Sequence, residues 1–502
     1  MPQLADAGAA PALAFFPQGV LARAPPPPSS SGPPHAGPAL RAPGEETLPT
    51  QAPELAERTG PSRRGSPCST AEGGHRMEKQ ASTGLDEAAP GGALDEAAGS
   101  GERKAARPAS GYRLAPPAGL KGSVEARELA PRVEAGDLEA LVAGNTAFAL
   151  AFLALRRTAA PSQNVALGAY GISQSMAMVY AGARGQTAAE MEAALHFPLR
   201  GAALHAAFNQ LDAQLGARTK GVLLRNATQV WMQQGIAVHA DFLDVLTRDY
   251  GAPLATLDIR SDPEAARAQI NSWVATATEG GIGELLRAGS LDRGTWMVLS
   301  SALFFFGPWR HPFPEKETRD AAFSLADGAQ VQVPMMQVTA SIPYARSEGW
   351  RAVAMPYRQE ALSMLVVMPS DLATFEASLS VATLTQIRQK LTSQKVELSI
   401  PRFRLGVRAS LETSLRALGL GTLFGKPDLS GMSDRDIAIG VVEHAARVEV
   451  TERGTRASAA TAVALQERCL PLALKVDRPF LFFIIDEPTS CVLFLGRVMD
   501  PR

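Results

Sequence analysis

Apolar positions first recur at helical spacing at Leu141, Phe148, Phe152 and Leu155, with Arg156 and Arg157 closing the last turn, which predicts a helix from about Gly136. After Pro161, the stretch Asn164-Val-Ala-Leu167 leads into a second predicted helix, residues 172–183, ended by Gly185. Thr187 and Glu190 have the spacing of a capping box for a third. Further on the period shortens. Met297 to Phe306 is a continuous apolar run, short enough for a central strand covered on both faces. Val331 to Met336, Trp350 to Pro356 and Leu362 to Pro369 are short apolar runs with turn residues between them and read as strands. Asn226-Ala-Thr228 matches a glycosylation sequon, yet it opens the apolar Asn-Ala-Thr-Gln-Val-Trp pattern and reads as buried strand.

Residues 1–135 carry no sustained period. They are rich in Ala, Pro, Gly and Ser, as in the block from Pro25 to Pro34, and are expected to be a disordered tail ahead of a domain at 136–502. Leu13-Ala-Phe-Phe16 has the apolar character of a signal segment. It lacks a basic flank and is broken by Pro11 and Pro17, and Met77 is an alternative start.

Charge and chemistry narrow the function. Lys plus Arg number 49 and Asp plus Glu 50, so no general attraction to nucleic acid or anionic membrane is expected. No apolar run is read as reaching the roughly 20 residues of a membrane span. Cys68, Cys469 and Cys491 have no metal-ligand spacing and imply neither a disulfide framework nor a metal site. The glycines at 419, 421 and 425 before Lys426 fail both the dinucleotide and the Walker spacing, and no Gly-x-Ser-x-Gly or His-Glu-x-x-His occurs. Glu443 beside His444 suggests general-base chemistry, but a lone histidine in an apolar setting is more often structural. An enzyme and a cofactor are therefore not expected.

The most informative stretch runs from Glu452 to Leu470. With period two from Thr455, one face carries Thr455, Ala457, Ala459, Thr461, Val463 and Leu465, all uncharged, so the segment would fit into a sheet over a core. Local propensity favours a helix instead, since Ala, Leu, Gln and Glu are good helix formers. Its setting argues the other way: an alternating strand from Ala446 to Thr451 precedes it, and Pro471 and a strongly apolar hairpin follow.

Glu452, Gly454, Thr455, Ala457, Ala459, Ala460 and Thr461 resemble the loop hinge of inhibitory serpins, a glutamate, glycine and threonine followed by small residues. The segments from Asp477 to Asp486 and Leu493 to Val498 resemble that family's closing strands, and the likeness covers about residues 136–502. It implies an α+β serpin fold, with three β-sheets, about nine helices and an exposed reactive-centre loop. Trp309 falls on the tryptophan under the loop's insertion point, and His444 on the shutter histidine that helps hold the central sheet closed.

Departures gather at that shutter. Gly168-Ala-Tyr-Gly171 stands where the family usually has Ser-Pro-x-Ser, and Ser301 where it has asparagine, so Ser301 is expected to substitute through its hydroxyl and sheet opening to be easier. Arg453 is a milder departure at a hinge position that is often acidic or neutral.

Counting from Thr455 along the family pattern and back from Arg478-Pro-Phe480 puts the reactive bond between Arg468 and Cys469. An arginine there suits the buried aspartate of a trypsin-like pocket. The resemblance thus implies a monomeric suicide inhibitor that forms a covalent complex with a trypsin-like serine protease, secreted as many of the family are, with a cytoplasmic location the alternative because the signal segment is weak. A non-inhibitory, chaperone-like serpin and an inhibitor of a papain-like cysteine protease are the alternatives.

Overall fold

The computed structural model describes residues 120–121, 126–218, 222–358, 360–454 and 470–502. At its centre the apolar run forms the strand Met297–Phe306, in a six-stranded sheet of order Leu120–Lys121, Leu254–Leu257, Leu223–Gln233, Met297–Phe306, Val441–Val450, Phe403–Ser410. Both faces of this sheet are covered, which is why the run does not alternate. On one face lies the helix Pro263–Ala277 and the segment after it, packing Ile270, Val274, Leu285 and Leu286 against Trp231, Ala302 and Ala445. On the other lies the larger core, which includes the fully buried helix Ala169–Tyr180.

A second hydrogen-bonded ladder has nine strands. Its long strand Gln330–Ser347 pairs with Thr392–Pro401 through Met335–Tyr344 and with Trp350–Pro356 through Tyr344–Ser347. One strand thereby joins two of the three expected sheets. With nine α-helices among the described residues, the architecture is the expected α+β one.

The first predicted helix is Asp137–Ala159. By length and composition it is apolar enough to cross a membrane, which corrects the expectation that no segment is; Leu141, Phe148 and Leu153 on it are nonetheless buried in the core. The second helix runs Ala169–Tyr180, three residues earlier than expected. Gly182 lies beyond its end, where a Cβ would come within 2.0 Å of Met432. The third, Gly185–Ala194, has Arg184 at its N-cap with no side-chain cap, so the capping-box reading was misplaced. Thr187 and Glu190 instead hold the chain near 422–428: the Thr187 hydroxyl accepts from the Asp428 N–H (2.9 Å) and the Glu190 carboxylate from the Thr422 N–H (2.8 Å).

Contacts of the domain extend ahead of Gly136. Arg127 donates to Asp212 Oδ2 at 2.7 Å, and the Glu128 N–H donates to the Arg248 carbonyl. At the other end, Asn164 clamps the C-terminus, its amide donating to Asp500 O (2.6 Å) and accepting from the Met499 N–H (2.6 Å). The signature around Gly496 also has a packing cause, since a Cβ there would meet the Phe482 ring at 2.0 Å. Its neighbour Arg497 is buried, paired with Glu376 at 3.2 Å and bonded to the carbonyls of Ala160 and Gln163.

Candidate functional site

One row of residues crosses the six-stranded sheet at Ala409, His444, Ser301 and Thr228. His444 is buried there. Its Nε2 is 3.1 Å from the Gly168 backbone nitrogen, which can only donate, so Nε2 accepts. The ring proton then sits on Nδ1 and is donated to Ser301 Oγ at 3.2 Å. Burial pushes this imidazole down to about 3, so it is neutral near pH 7.

Backbone geometry supplies His444 with a partner that the side-chain pattern lacked. Gly168 has non-helical angles just ahead of Ala169–Tyr180, which turns its N–H toward the sheet. A Cβ on Gly168 would lie 2.9 Å from Leu303, and one on Gly171 would lie 3.0 Å from Asn226 Oδ1 and 3.1 Å from Ser301 Oγ. The glycines let the helix start sit close enough for a main-chain group to hold His444. Ser301 takes the other side, as the sequence suggested.

A polar chain leads outward from this row that sequence reasoning missed. Thr228 donates to Asn226 Oδ1 (2.7 Å), Asn226 Nδ2 to Gln174 Oε1 (2.8 Å), and Gln174 Nε2 to Tyr170 Oη (3.0 Å) and Asp212 Oδ1 (3.2 Å). Asn226 and Gln174 are buried, which also removes the sequon from use as a glycan acceptor. The available signal was polar residues inside otherwise apolar elements, which need partners when buried.

At the upper end of Val441–Val450 the chain makes a tight turn. The Gly454 N–H donates to Thr451 O (3.2 Å) and the Thr451 hydroxyl to Gly454 O (2.6 Å). Gly454 has φ of 77°, and a Cβ on it would lie 2.2 Å from Gly307 O and 2.4 Å from Pro308 Cα. No side chain fits, which is the physical reason for glycine at this hinge position. Trp309 stacks on Tyr357 (centroids 4.5 Å apart, planes at 14°) and donates its indole N–H to Thr451 O at 2.9 Å.

Glu452 is buried and anchors the same turn. Its carboxylate accepts from the Thr318 hydroxyl (3.0 Å) and faces Arg402 (3.5 Å), while its carbonyl accepts from the Phe313 N–H (2.8 Å). Arg453 points outward to Glu315 at 2.6 Å, an exposed pair worth little to stability.

Thr455, Ala457, Ala459, Ala460, Thr461, Arg468 and Cys469 lie outside the described residues. The chain resumes with Leu470, 94% exposed, and enters the strand Leu472–Lys475, parallel to Thr392–Pro401 in the other sheet. The strand Val441–Val450 is already paired on both sides. Between Met297–Phe306 and Val441–Val450 the pairing is parallel and continuous from Val298↔Val441 to Phe305↔Val448. Among the described residues no cluster of three or more His, Cys, Asp or Glu is disposed to hold a metal, and Cys491 is a buried free thiol whose pKa is pushed up by burial.

Comparison with known proteins agrees with this geometry. The family model Serpin (serine protease inhibitor) matches residues 143–501. Leukocyte elastase inhibitor of Homo sapiens is 36% identical over 387 residues, covering 72% of this chain and all of that protein. Serpin B8 of Homo sapiens is 35% identical over 375 residues, with the same coverage. An uncharacterized serpin-like protein of Thermococcus kodakarensis is 32% identical over 357 residues, 69% of this chain and 83% of its own. Among solved structures, a crystal structure of maspin superposes with a TM-score of 0.68 at 25% identity, covering 73% of this chain and all of maspin. A tumour-suppressing serpin superposes at 0.66 and 26%, covering 72% and 100%.

Proposed function

The chain belongs to the serpin family, inhibitors of serine proteases rather than enzymes, and from that premise we propose that it traps a trypsin-like protease as a suicide substrate at Arg468–Cys469. In this reading the protease serine attacks the Arg468 carbonyl, the bond to Cys469 breaks with its nitrogen taking a proton, and Arg468 is left esterified to the enzyme. Residues 455–468 then enter as a new strand between Met297–Phe306 and Val441–Val450. Extended, they reach about 45 Å.

The observation that carries the reading is the closed parallel pair running into a glycine-pinned turn, because it supplies both the slot and the hinge. The target class rests on Arg468, which a buried aspartate in a primary pocket would bind through paired, charge-assisted hydrogen bonds. A second reading has one observation behind it. Several relatives are named leukocyte elastase inhibitors, and the loop offers Ala462, Val463 and Ala464 to an enzyme with a small pocket.

The variant Arg468→Glu separates the two. It is expected to abolish inhibition of trypsin while leaving any inhibition of pancreatic elastase intact. Undiminished trypsin inhibition would show that the reactive bond lies elsewhere.

A further inference from the structure

The helix Ala169–Tyr180 starts just after Gly168, which bonds His444, and has at its far end a cleft of about 330 Å3. That size falls at the lower end of small-molecule sites, roughly 300–1,000 Å3. Tyr180, Phe242 and Val245 supply the apolar part of its lining. The Tyr180 hydroxyl is tied to Glu192 at 2.7 Å, which fixes the ring as a wall.

Two polar groups in its lining are only partly used. His205 is 3% exposed and bonds Tyr250 Oη through Nδ1 at 2.7 Å, and its Nε2 has no hydrogen-bond partner among the described residues. Arg184, exposed at the mouth, spends Nη1 on the carbonyls of Ala181 (3.0 Å) and Ala183 (2.8 Å). Its Nε and Nη2 have no hydrogen-bond partner among the described residues. His205 and Arg184 both line the cleft, so a ligand there meets a polar ring and, at the mouth, a guanidinium with donors to spare.

We propose that this cleft binds a small amphipathic carboxylate, its apolar body against Tyr180, Phe242 and Val245, its charge on Arg184 and a polar atom opposite His205. Asp241 and Arg248 also line the cleft and offset one another in charge, which leaves Arg184 to a single carboxylate. Burial and the nearby Arg248 hold His205 at about 4, so it meets the ligand as a neutral donor or acceptor. Nothing in this site depends on the inhibitory loop.

The probe is 3-(4-hydroxyphenyl)propionate, titrated calorimetrically into the full chain beside its uncharged amide. One saturable site is expected, with the amide weaker by about ten-fold or more, as losing one charge-assisted contact of about 1.4 kcal/mol would give. Ala202→Trp, at an exposed position lining the cleft, should remove binding, and Arg184→Met should erase the preference for the acid over the amide. No saturable site, equal affinity for acid and amide, or unchanged binding to folded Ala202→Trp would overturn the proposal. Circular dichroism establishes that Ala202→Trp is folded; if it is not, Arg184→Met carries the test alone.

Discussion

His444 is held from both sides by groups that leave it no alternative protonation pattern. Gly168 can only donate to Nε2, so Nδ1 must donate to Ser301. Replacing Ser301 by Ala leaves that buried ring N–H without an acceptor, which costs about 1–3 kcal/mol. Denaturant unfolding should show the loss as a lowered midpoint, and an unchanged midpoint would mean that the Ser301 contact contributes nothing to the closed sheet. With the imidazole lowered to about 3 from 6.5, the gap between parent and Ser301→Ala should stay constant from pH 5 to 9, while both lose stability as pH falls below about 6.5, where the unfolded chain's histidine takes up a proton.

Single residues were also where the sequence was most and least legible. His444, Trp309 and Gly454 stood out because each sits in a motif whose spacing is kept. The substitute for the missing shutter hydroxyl did not, because a backbone N–H is carried by every residue but proline and leaves no mark in a sequence. The chain from Thr228 through Asn226 and Gln174 to Asp212 was hidden for a related reason: its members come from different elements, brought together only by packing.

At the scale of elements, the strand Val441–Val450 carries opposite chemistry on its two faces. His444 lies toward Gly168, while its neighbour Glu443 points to the face covered by the segment after Pro263–Ala277. Burial raises the Glu443 carboxyl to about 7, against the opposing pull of Arg287 and Arg408. Its folded form therefore holds a proton that the unfolded chain has released above about 4.5. The stabilisation is complete below that value and is lost as pH rises to about 7. Glu443→Gln should accordingly melt higher than the parent at pH 8 and show little difference at pH 4.5. An equal gap at both pH values would contradict the assignment.

Element boundaries were read less well than elements. The central strand and the first helix were visible because their burial imposes a strong pattern. The third helix was given a false cap, because Thr187 and Glu190 have the right spacing but serve contacts to 422–428 that are remote in sequence. The three sheets appear as two ladders because Gln330–Ser347 is long enough to serve both, and no local signal marks where a strand changes partner.

Across the whole molecule, the proposed trap asks the closed pair of strands to separate. Eight register pairs, Val441↔Val298 through Val448↔Phe305, would exchange partners for the incoming segment, and the His444–Ser301 contact lies among them. Thr455, Ala457, Ala459 and Thr461 are small and uncharged and would suit that exchange; a charge among them would be buried without a partner once inserted. Thr455→Arg is expected to turn the inhibitor into a substrate, cleaved by trypsin at the same bond with little inhibition. Continued inhibition at unchanged stoichiometry would rule out insertion as the trap.

The central claim is tested most directly by mixing the purified protein with trypsin, separating the products by denaturing electrophoresis and reading the released peptide by mass spectrometry. The account predicts a stable complex of the protease with the chain and a new N-terminus at Cys469. Clean cleavage after Arg468 with no such complex would contradict it, leaving a serpin whose loop is cut but does not trap.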